Sequence, residues 1–181
     1  MLFDCATRRL LVPNSVWEKR THGDFHMILE PWYVTGLIDG EGCFSVSFSL
    51  LKRLNIQIET RPSFSVSLNE RDLPLLKKVH AFFSCGAIRY SNTDRTYKYE
   101  VRAVSDLTKK IIPHFKKYKL HGAKLNDFNL FEEICRSVRA NHHLNKKYLV
   151  EIIEKAYLMN PSGKRKHTKF DLLKVLDEIM V

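Results

Sequence analysis

Two short stretches, Cys43-Phe44-Ser45-Val46-Ser47-Phe48-Ser49 and Ser63-Phe64-Ser65-Val66-Ser67-Leu68, carry an apolar side chain at every second position with a serine or Cys43 between. Successive side chains of a strand leave opposite faces, whereas a helix would spread this pattern around its circumference. Both stretches therefore read as β-strands, with Phe44, Val46 and Phe48 on one face of the first and Phe64, Val66 and Leu68 on the matching face of the second. They form one antiparallel pair, joined at or near Leu51 to Asn55. A sheet that is apolar on one face must be covered there, and its other face is left for water or a ligand.

The rest of the chain supplies the cover. Glu30 to Asp39 reads as a short helix with Pro31 near its first position, where a missing N–H costs nothing. Asp72 is placed to cap a helix over Leu73 to Phe83, with Pro74 in its first turn and Gly86 as the break. Ala87–Tyr90 and Tyr97–Ala103 read as a second hairpin around Asn92-Thr93-Asp94-Arg95. Ser105 or Asp106 caps a further helix that is interrupted at Pro113. Leu125, Phe128, Phe131, Ile134, Cys135 and Val138 mark the face of a long helix; Tyr148, Leu149, Ile152, Ile153, Ala156 and Tyr157 mark another. Pro161-Ser162-Gly163 breaks the chain before the cluster Lys164-Arg165-Lys166 and an amphipathic stretch from Phe170 to Met180. Hairpins interleaved with helices predict an α+β fold, an antiparallel sheet with helices on one face, and no internal repeat stands out. The boundaries are an N-terminal extension over 1–29, a core over 30–160, and a basic linker with a C-terminal helix over 161–181.

Composition narrows the function. Thirty Lys plus Arg against 20 Asp plus Glu give a charge of +10, which points to a polyanionic partner. The 44% apolar and 11% aromatic content excludes a wholly disordered chain, and 181 residues fit one domain with a core of its own. No uncharged apolar run nears the roughly 20 residues that cross a bilayer, so no membrane partner is expected. Cys5, Cys43, Cys85 and Cys135 lie far apart without C-x-x-C or zinc-finger spacing, so they read as reduced, mostly buried thiols of an intracellular protein. The first residues hold Arg8 and Arg9 but no apolar core, which excludes a secretory signal. Asp4 and Glu18 interrupt a mitochondrial presequence, leaving an irregular extension as the plainer reading.

Three of the seven glycines fall between residues 36 and 42, where chance would place about 0.3. Gly36 and Gly40 share a helix face and leave it bare enough for another backbone to approach. Gly42 is expected to take positive φ at the turn into the strand. Asp39 and Glu41 put two carboxylates at this turn, hard oxygen donors of the kind Mg²⁺ accepts. The same spacing also suits a strand-entering turn whose acids are only solvated, and spacing alone does not choose.

Val34-Thr35-Gly36-Leu37-Ile38-Asp39-Gly40-Glu41-Gly42 resembles the LAGLIDADG motif of intron-encoded homing endonucleases, agreeing at six of nine positions when Gly40 counts as the small one and with Glu41 as an acidic swap. The helix–hairpin–helix–hairpin–helix order from about residue 31 to about 158 matches the family too. The resemblance implies a saddle-like sheet in the LAGLIDADG homing-endonuclease fold. It implies that Glu41 binds the catalytic metal, Mg²⁺ with Mn²⁺ substituting, with the Gly40 carbonyl at the same place and Asp39 as a structural acid. A single motif implies a homodimer joined through Trp32, Gly36, Asp39 and Gly40, one metal-binding acid per subunit, and a long, roughly palindromic target. A catalytic lysine is expected after the second hairpin: Lys124, with Lys119 as the alternative. The five cations from Lys109 to Lys119 blur that assignment and read mainly as a solvated helix face with general phosphate affinity. The polar residue many members carry on the second strand near the metal falls at Leu68, or at Asn69 if the register slips, and Leu68 cannot hold a water.

The family's sheet lies in the DNA major groove, which a two-stranded ribbon fits. The residues this implies are Ser45, Ser47 and Ser49 on the first strand and Gln57, Glu59, Arg61, Ser63, Ser65 and Ser67 on the second. Arg89, Ser91, Lys98, Glu100 and Arg102 follow on the second hairpin, while Lys52, Arg53, Asn55 and Arg95 at hairpin tips reach outward. Glu59 and Glu100 oppose phosphate; they either read cytosine amino groups or pair with arginine. His142-His143 lacks the ββα surroundings of an HNH nuclease and reads as a loop between helices. The expected function is a site-specific double-strand DNA endonuclease in an organelle, the mitochondrion ahead of the chloroplast. The alternatives are an intron RNA maturase or a non-cleaving nucleic-acid-binding protein on the same scaffold.

Overall fold

A computed structural model describes residues 29–160 and 163–179, so the expectations for residues 1–28, including Cys5, lie outside the described residues. The chain runs α1 (Pro31–Glu41), β1 (Gly42–Leu50), β2 (Ile58–Asn69), α2 (Leu73–Phe83), β3 (Ala87–Ser91), β4 (Thr96–Val101), α3 (Val104–Asp106), a π-helical stretch (Leu107–Ile111), α4 (Ile112–Lys117), α5 (Lys124–Arg139), α6 (Lys146–Leu158) and α7 (Lys169–Glu178). The four strands form one antiparallel sheet in the order β1-β2-β4-β3. The α+β class, the open sheet and the single apolar face are as the alternation predicts.

Phe44 of β1 pairs with Phe64 of β2, and Phe64 with Val101 of β4. Around Phe44 the rings of Phe64, Phe115, Phe128 and Phe131 stand 5.3–5.5 Å away, joining the sheet to α4 and α5. Burying each such ring is worth about 1.5–3 kcal/mol, which sets the sheet firmly on its helices. Val34 and Ile38 of α1, Leu149 and Ile153 of α6, and Leu172 and Leu176 of α7 are buried in the same core.

Several local details differ from the sequence reading. Asp72 makes no capping bond; the Asn69 side chain accepts from Arg71 N–H at 3.2 Å and opens a 3₁₀ turn, Glu70–Asp72, that leads into α2. The chain is already turning helically by Asp72, whose φ of −96° and ψ of 11° are not the extended geometry of a cap. Likewise Ser105 and Asp106 lie inside α3, whose cap position is Ala103. The helix is not broken at Pro113. The irregularity lies before it, in the π-helical stretch Leu107–Ile111, and a widened turn accommodates the N–H that proline lacks. Of the described cysteines, Cys43, Cys85 and Cys135 are unpaired as expected, but only Cys135 is fully buried.

Candidate active site and nucleic-acid interface

The site begins at the end of α1. Gly42 has φ −76° and ψ 160°, so the glycine is not there for positive φ. A Cβ at that position would meet Ile38 Cγ2 at 2.4 Å and Ile38 O at 2.7 Å, while the Gly42 N–H donates to Ile38 O. Close approach of strand to helix is the reason for glycine, and it turns the chain at once from Glu41 into β1.

Asp39 and Glu41 have different surroundings. The Asp39 carboxylate accepts from the backbone N–H of His121 at 2.8 Å and of Gly122 at 3.0 and 3.1 Å. It thus anchors the loop that enters α5. The first residue of α5, Lys124, returns to α1: its Nζ donates to the carbonyls of Asp39 and Gly40, 2.8 Å each. An acid sits before the start of one helix and a cation at the end of the other, as both helix dipoles favour. Lys119 makes none of these bonds. Glu41 is exposed, and among the described residues its carboxylate has no hydrogen-bond or ion-pair partner.

The donors here are all oxygen, a carboxylate and carbonyls, a set that suits Mg²⁺ rather than a thiolate- or imidazole-loving metal. Among the described residues no group of three or more His, Cys, Asp or Glu is placed to hold a metal. The described residues bring one free carboxylate and the Gly40 carbonyl, a donor set that fits a divalent ion once further oxygens complete it. Beside the site, α1 shows a face left bare by the described residues: Gly36 and Gly40 are exposed with none of those residues within 4 Å of an added Cβ, and Trp32 is 57% exposed. Below that face, buried Thr35 Oγ1 lies 3.2 Å from His114 Nε2 and donates to Tyr118 O at 3.2 Å. Burial pushes the His114 pKa down from 6.5 to about 4.

From Glu41 the polar face of the sheet runs away in cross-strand rows. Ser67 of β2 pairs with Lys98 of β4, which pairs with Arg89 of β3. Cys43, Ser65, Glu100 and Ala87 form the next row, followed by Ser45 with Ser63, Ser47 with Arg61, and Ser49 with Glu59. Ser91 lies opposite Thr96 at the far end of the hairpin. Ser45 and Ser63 bond each other at 3.0 Å. Lys52, Arg53 and Asn55 are exposed in the β1–β2 turn, as hairpin-tip residues should be.

Some other residues of this face differ from the expectation, while the apolar placing of Leu68 and the pairing of Glu59 and Glu100 with arginine are among the readings expected. Leu68 points to the helices with Phe64 and Val66, because its parity along β2 is theirs; the polar-face position at the Glu41 end is Ser67, one residue beyond Val66, the partner of Gly42. Period-two alternation puts Ser67 on this face; the register adds that Ser67, not Leu68 or Asn69, is the polar position at the Glu41 end. Gln57 precedes β2, in the turn, at φ 52°. Ser65 is only 4% exposed, covered in the middle of the sheet. Arg95, also at φ 52°, reaches back to Glu70 at 2.7 Å instead of outward. Glu59 bonds Arg61, and Glu100 bonds Lys98 at 3.2 Å and Arg102 at 2.9 Å. Burial raises the Glu100 carboxyl, but these two cations together outweigh it and hold the group below its ordinary pKa.

Charge is split between two sides of the molecule. Lys110, Lys116 and Lys117 are exposed on helices whose Leu107, Ile111 and Phe115 are buried against the sheet, so these lysines face away from the polar rows, whereas exposed Lys109 lines a cleft with Arg53 and Glu59. At the β1 edge the opposite happens. A cleft of about 510 Å³ is lined by Ser45, Ser47, Tyr157, Asn160, Lys164 and Lys166. Arg165 donates to Ala156 O and Met159 O at the end of α6 and stacks over Tyr157, which ties the basic segment beside the serines. The sequence showed the cluster but not where it is held. His142-His143 forms a 3₁₀ turn between α5 and α6, with His142 stacked on Tyr148.

Comparison with known proteins places this geometry. The family model described as LAGLIDADG endonuclease matches residues 34–135. The probable intron-encoded DNA endonuclease 1 of Mycosarcoma maydis is 32% identical over 134 residues, covering 74% of this chain and 47% of that protein. The chain spans about half or less of the length of the first curated relatives it matches. The crystal structure of the homing endonuclease I-TnaI superposes with a TM-score of 0.73 at 33% identity, covering 84% of this chain and 99% of that one. I-SmaMI bound to uncleaved DNA target in the presence of calcium ions superposes with a TM-score of 0.74 at 30% identity, over 83% of this chain and 49% of that one.

Proposed function

Because the chain belongs to the LAGLIDADG endonuclease family, we propose that it is a site-specific, Mg²⁺-dependent endonuclease that cuts double-stranded DNA as a homodimer. The observation that carries this reading is the exposed Glu41 carboxylate at the end of α1, without a partner among the described residues, with Lys124 nearby and the polar rows running from it.

Glu41, with the Gly40 carbonyl, would hold the divalent ion, and Mn²⁺ would substitute for Mg²⁺. When bound, that ion supplies Lewis-acid stabilisation of phosphate oxygens and lowers the pKa of water. Lys124 spends two of its three N–H donors on the Asp39 and Gly40 carbonyls, which fixes the ammonium and leaves the third for a phosphate oxygen. Asp39 keeps the loop that carries Lys124 against α1. The bare face of Trp32, Gly36 and Gly40 packs on its copy across a two-fold axis, bringing Glu41 to its symmetry mate and so completing the oxygen donor set. Two half-sites follow, so the target is roughly palindromic.

The serine rows, with Arg61, Arg89, Lys98 and Arg102, read base edges in the major groove. Lys52, Arg53 and Asn55 at the hairpin tip meet the backbone. The core over 30–160 is the catalytic unit, with 1–29 and 161–181 as its flanks, and an organellar setting goes with the intron-encoded relative.

A randomised duplex library tests the reading. With Mg²⁺ the protein should linearise a related set of roughly palindromic sites, and with Ca²⁺ it should bind the same set without cutting. Cleavage of unrelated sequences at equal rates, or tighter binding to structured intron RNA than to any duplex, would contradict it.

A further inference from the structure

Three carboxylates lie on or beside the polar face of the sheet, and each is bonded to a cation: Glu59 to Arg61, Glu70 to Arg95, and Glu100 to both Lys98 and Arg102. Glu100 stands apart. Its side chain is 7% exposed, against 31% for Glu59 and 38% for Glu70, and it occupies the middle of the face between Ser65 and Ala87. On a surface that meets a polyanion, a fixed negative charge works against affinity. Its place is explained by what its two oxygens do.

Oε1 holds Lys98 Nζ at 3.2 Å, and Oε2 holds Arg102 at 2.9 Å through Nε. An arginine bonded through Nε keeps both terminal nitrogens free as a parallel pair of donors. That pair matches O6 and N7 of guanine in the major groove. Lys98 keeps two of its three N–H donors. Lys98 and Glu100 lie two residues apart on one face of β4, about 7 Å along the strand, and Arg102 follows just past its end, so Glu100 draws both long side chains toward the middle from either side. Without it each cation would sample many rotamers and could settle on any nearby phosphate. Arg102 is 55% exposed and Lys98 44%, so the terminal nitrogens of Arg102 and the remaining N–H donors of Lys98 face solvent while Arg102 Nε and Lys98 Nζ are held by the carboxylate.

We infer that Glu100 is a specificity-determining positioning residue, which fixes Arg102 so that its terminal nitrogens read a guanine in each half-site, and holds Lys98 over the neighbouring acceptor. The inference rests on the reading of this face as a DNA groove.

The test selects sites from a randomised duplex library in Ca²⁺ with the wild-type chain, then measures the ratio of Kd for random duplex to Kd for the selected duplex at one salt concentration. The set is wild type, Glu100→Gln, Lys98→Ala/Arg102→Ala and the triple variant. Glu100→Gln keeps the side chain's shape and removes its charge. It should bind random duplex as tightly as wild type or more so, while the ratio falls about tenfold and a guanine position fixed in the wild-type selection relaxes. In the Lys98→Ala/Arg102→Ala background the same change should leave the ratio within about twofold.

A ratio kept within about twofold in the single variant overturns the inference, as does an equal loss in the background lacking both cations, which would mark a general structural role. If Glu100→Gln fails to fold by circular dichroism, Arg102→Lys takes its place: it keeps the charge but loses the fork, and it must relax the same guanine position for the inference to stand. A wild-type chain that selects no duplex at all refutes the DNA-groove reading itself, and the two failures are thereby distinguished.

Discussion

Asp39 shows how two neighbouring acids of one type take different roles. Its carboxylate is committed to two backbone N–H groups of the loop before α5, and a Cβ at Gly122 would come within 2.9 Å of it. Glu41, two residues later and the last residue of α1, is left exposed. The sequence suggested Asp39 as a structural acid at a helix end, but its partners lie more than 80 residues away and no local pattern names them. Asp39→Asn should cost about 1–3 kcal/mol of stability, since hydrogen bonds to a charged acceptor are the stronger kind, and urea denaturation will read it. Cleavage should fall further than stability does, because the loop positions Lys124; unchanged stability would show the anchor to be idle.

At the scale of elements, legibility followed periodicity. Strands β1 and β2 came out of the serine–aromatic alternation within a few residues, and α5 and α6 out of their apolar stripes. What the sequence hid was set by packing. Asp72 does not cap α2 because the chain turns as it leaves β2, in a 3₁₀ turn capped by Asn69, and the irregularity around Pro113 falls in the π-helical stretch before it, which a sequence pattern can only flag. The three motif glycines were legible as a group but not in their separate reasons. Gly36 and Gly40 have empty space around them among the described residues, whereas Gly42 is pressed against Ile38. Gly36→Leu and Gly40→Leu should therefore leave the protomer's melting temperature nearly unchanged and shift light scattering from dimer to monomer. Gly42→Ala should lower the melting temperature itself. A fully dimeric, active Gly40→Leu protein would remove the two-fold helix contact from the account.

For the whole molecule, charge and burial set how it responds to solution conditions. The +10 chain would form a +20 dimer, so its DNA affinity should fall steeply as salt rises. Only part of that charge lines the polar face, since Lys110 and the lysines of α4 point away from it, a division no composition could reveal. Stability should depend on pH through His114, kept neutral by burial with a pKa near 4. Unfolded, the imidazole takes up its proton near 6.5, so the unfolded state binds more protons between these values. Its contribution is complete above that range and is lost as pH falls through it. The melting temperature should drop from about pH 7 to about pH 5, and His114→Gln should flatten that slope. The central claim, that Glu41 gives this basic, DNA-shaped surface its chemistry, is tested most directly by Glu41→Gln on a plasmid carrying the selected site. Binding in Ca²⁺ should match wild type while linearisation in Mg²⁺ disappears; a variant that still cuts at the wild-type rate would contradict the account.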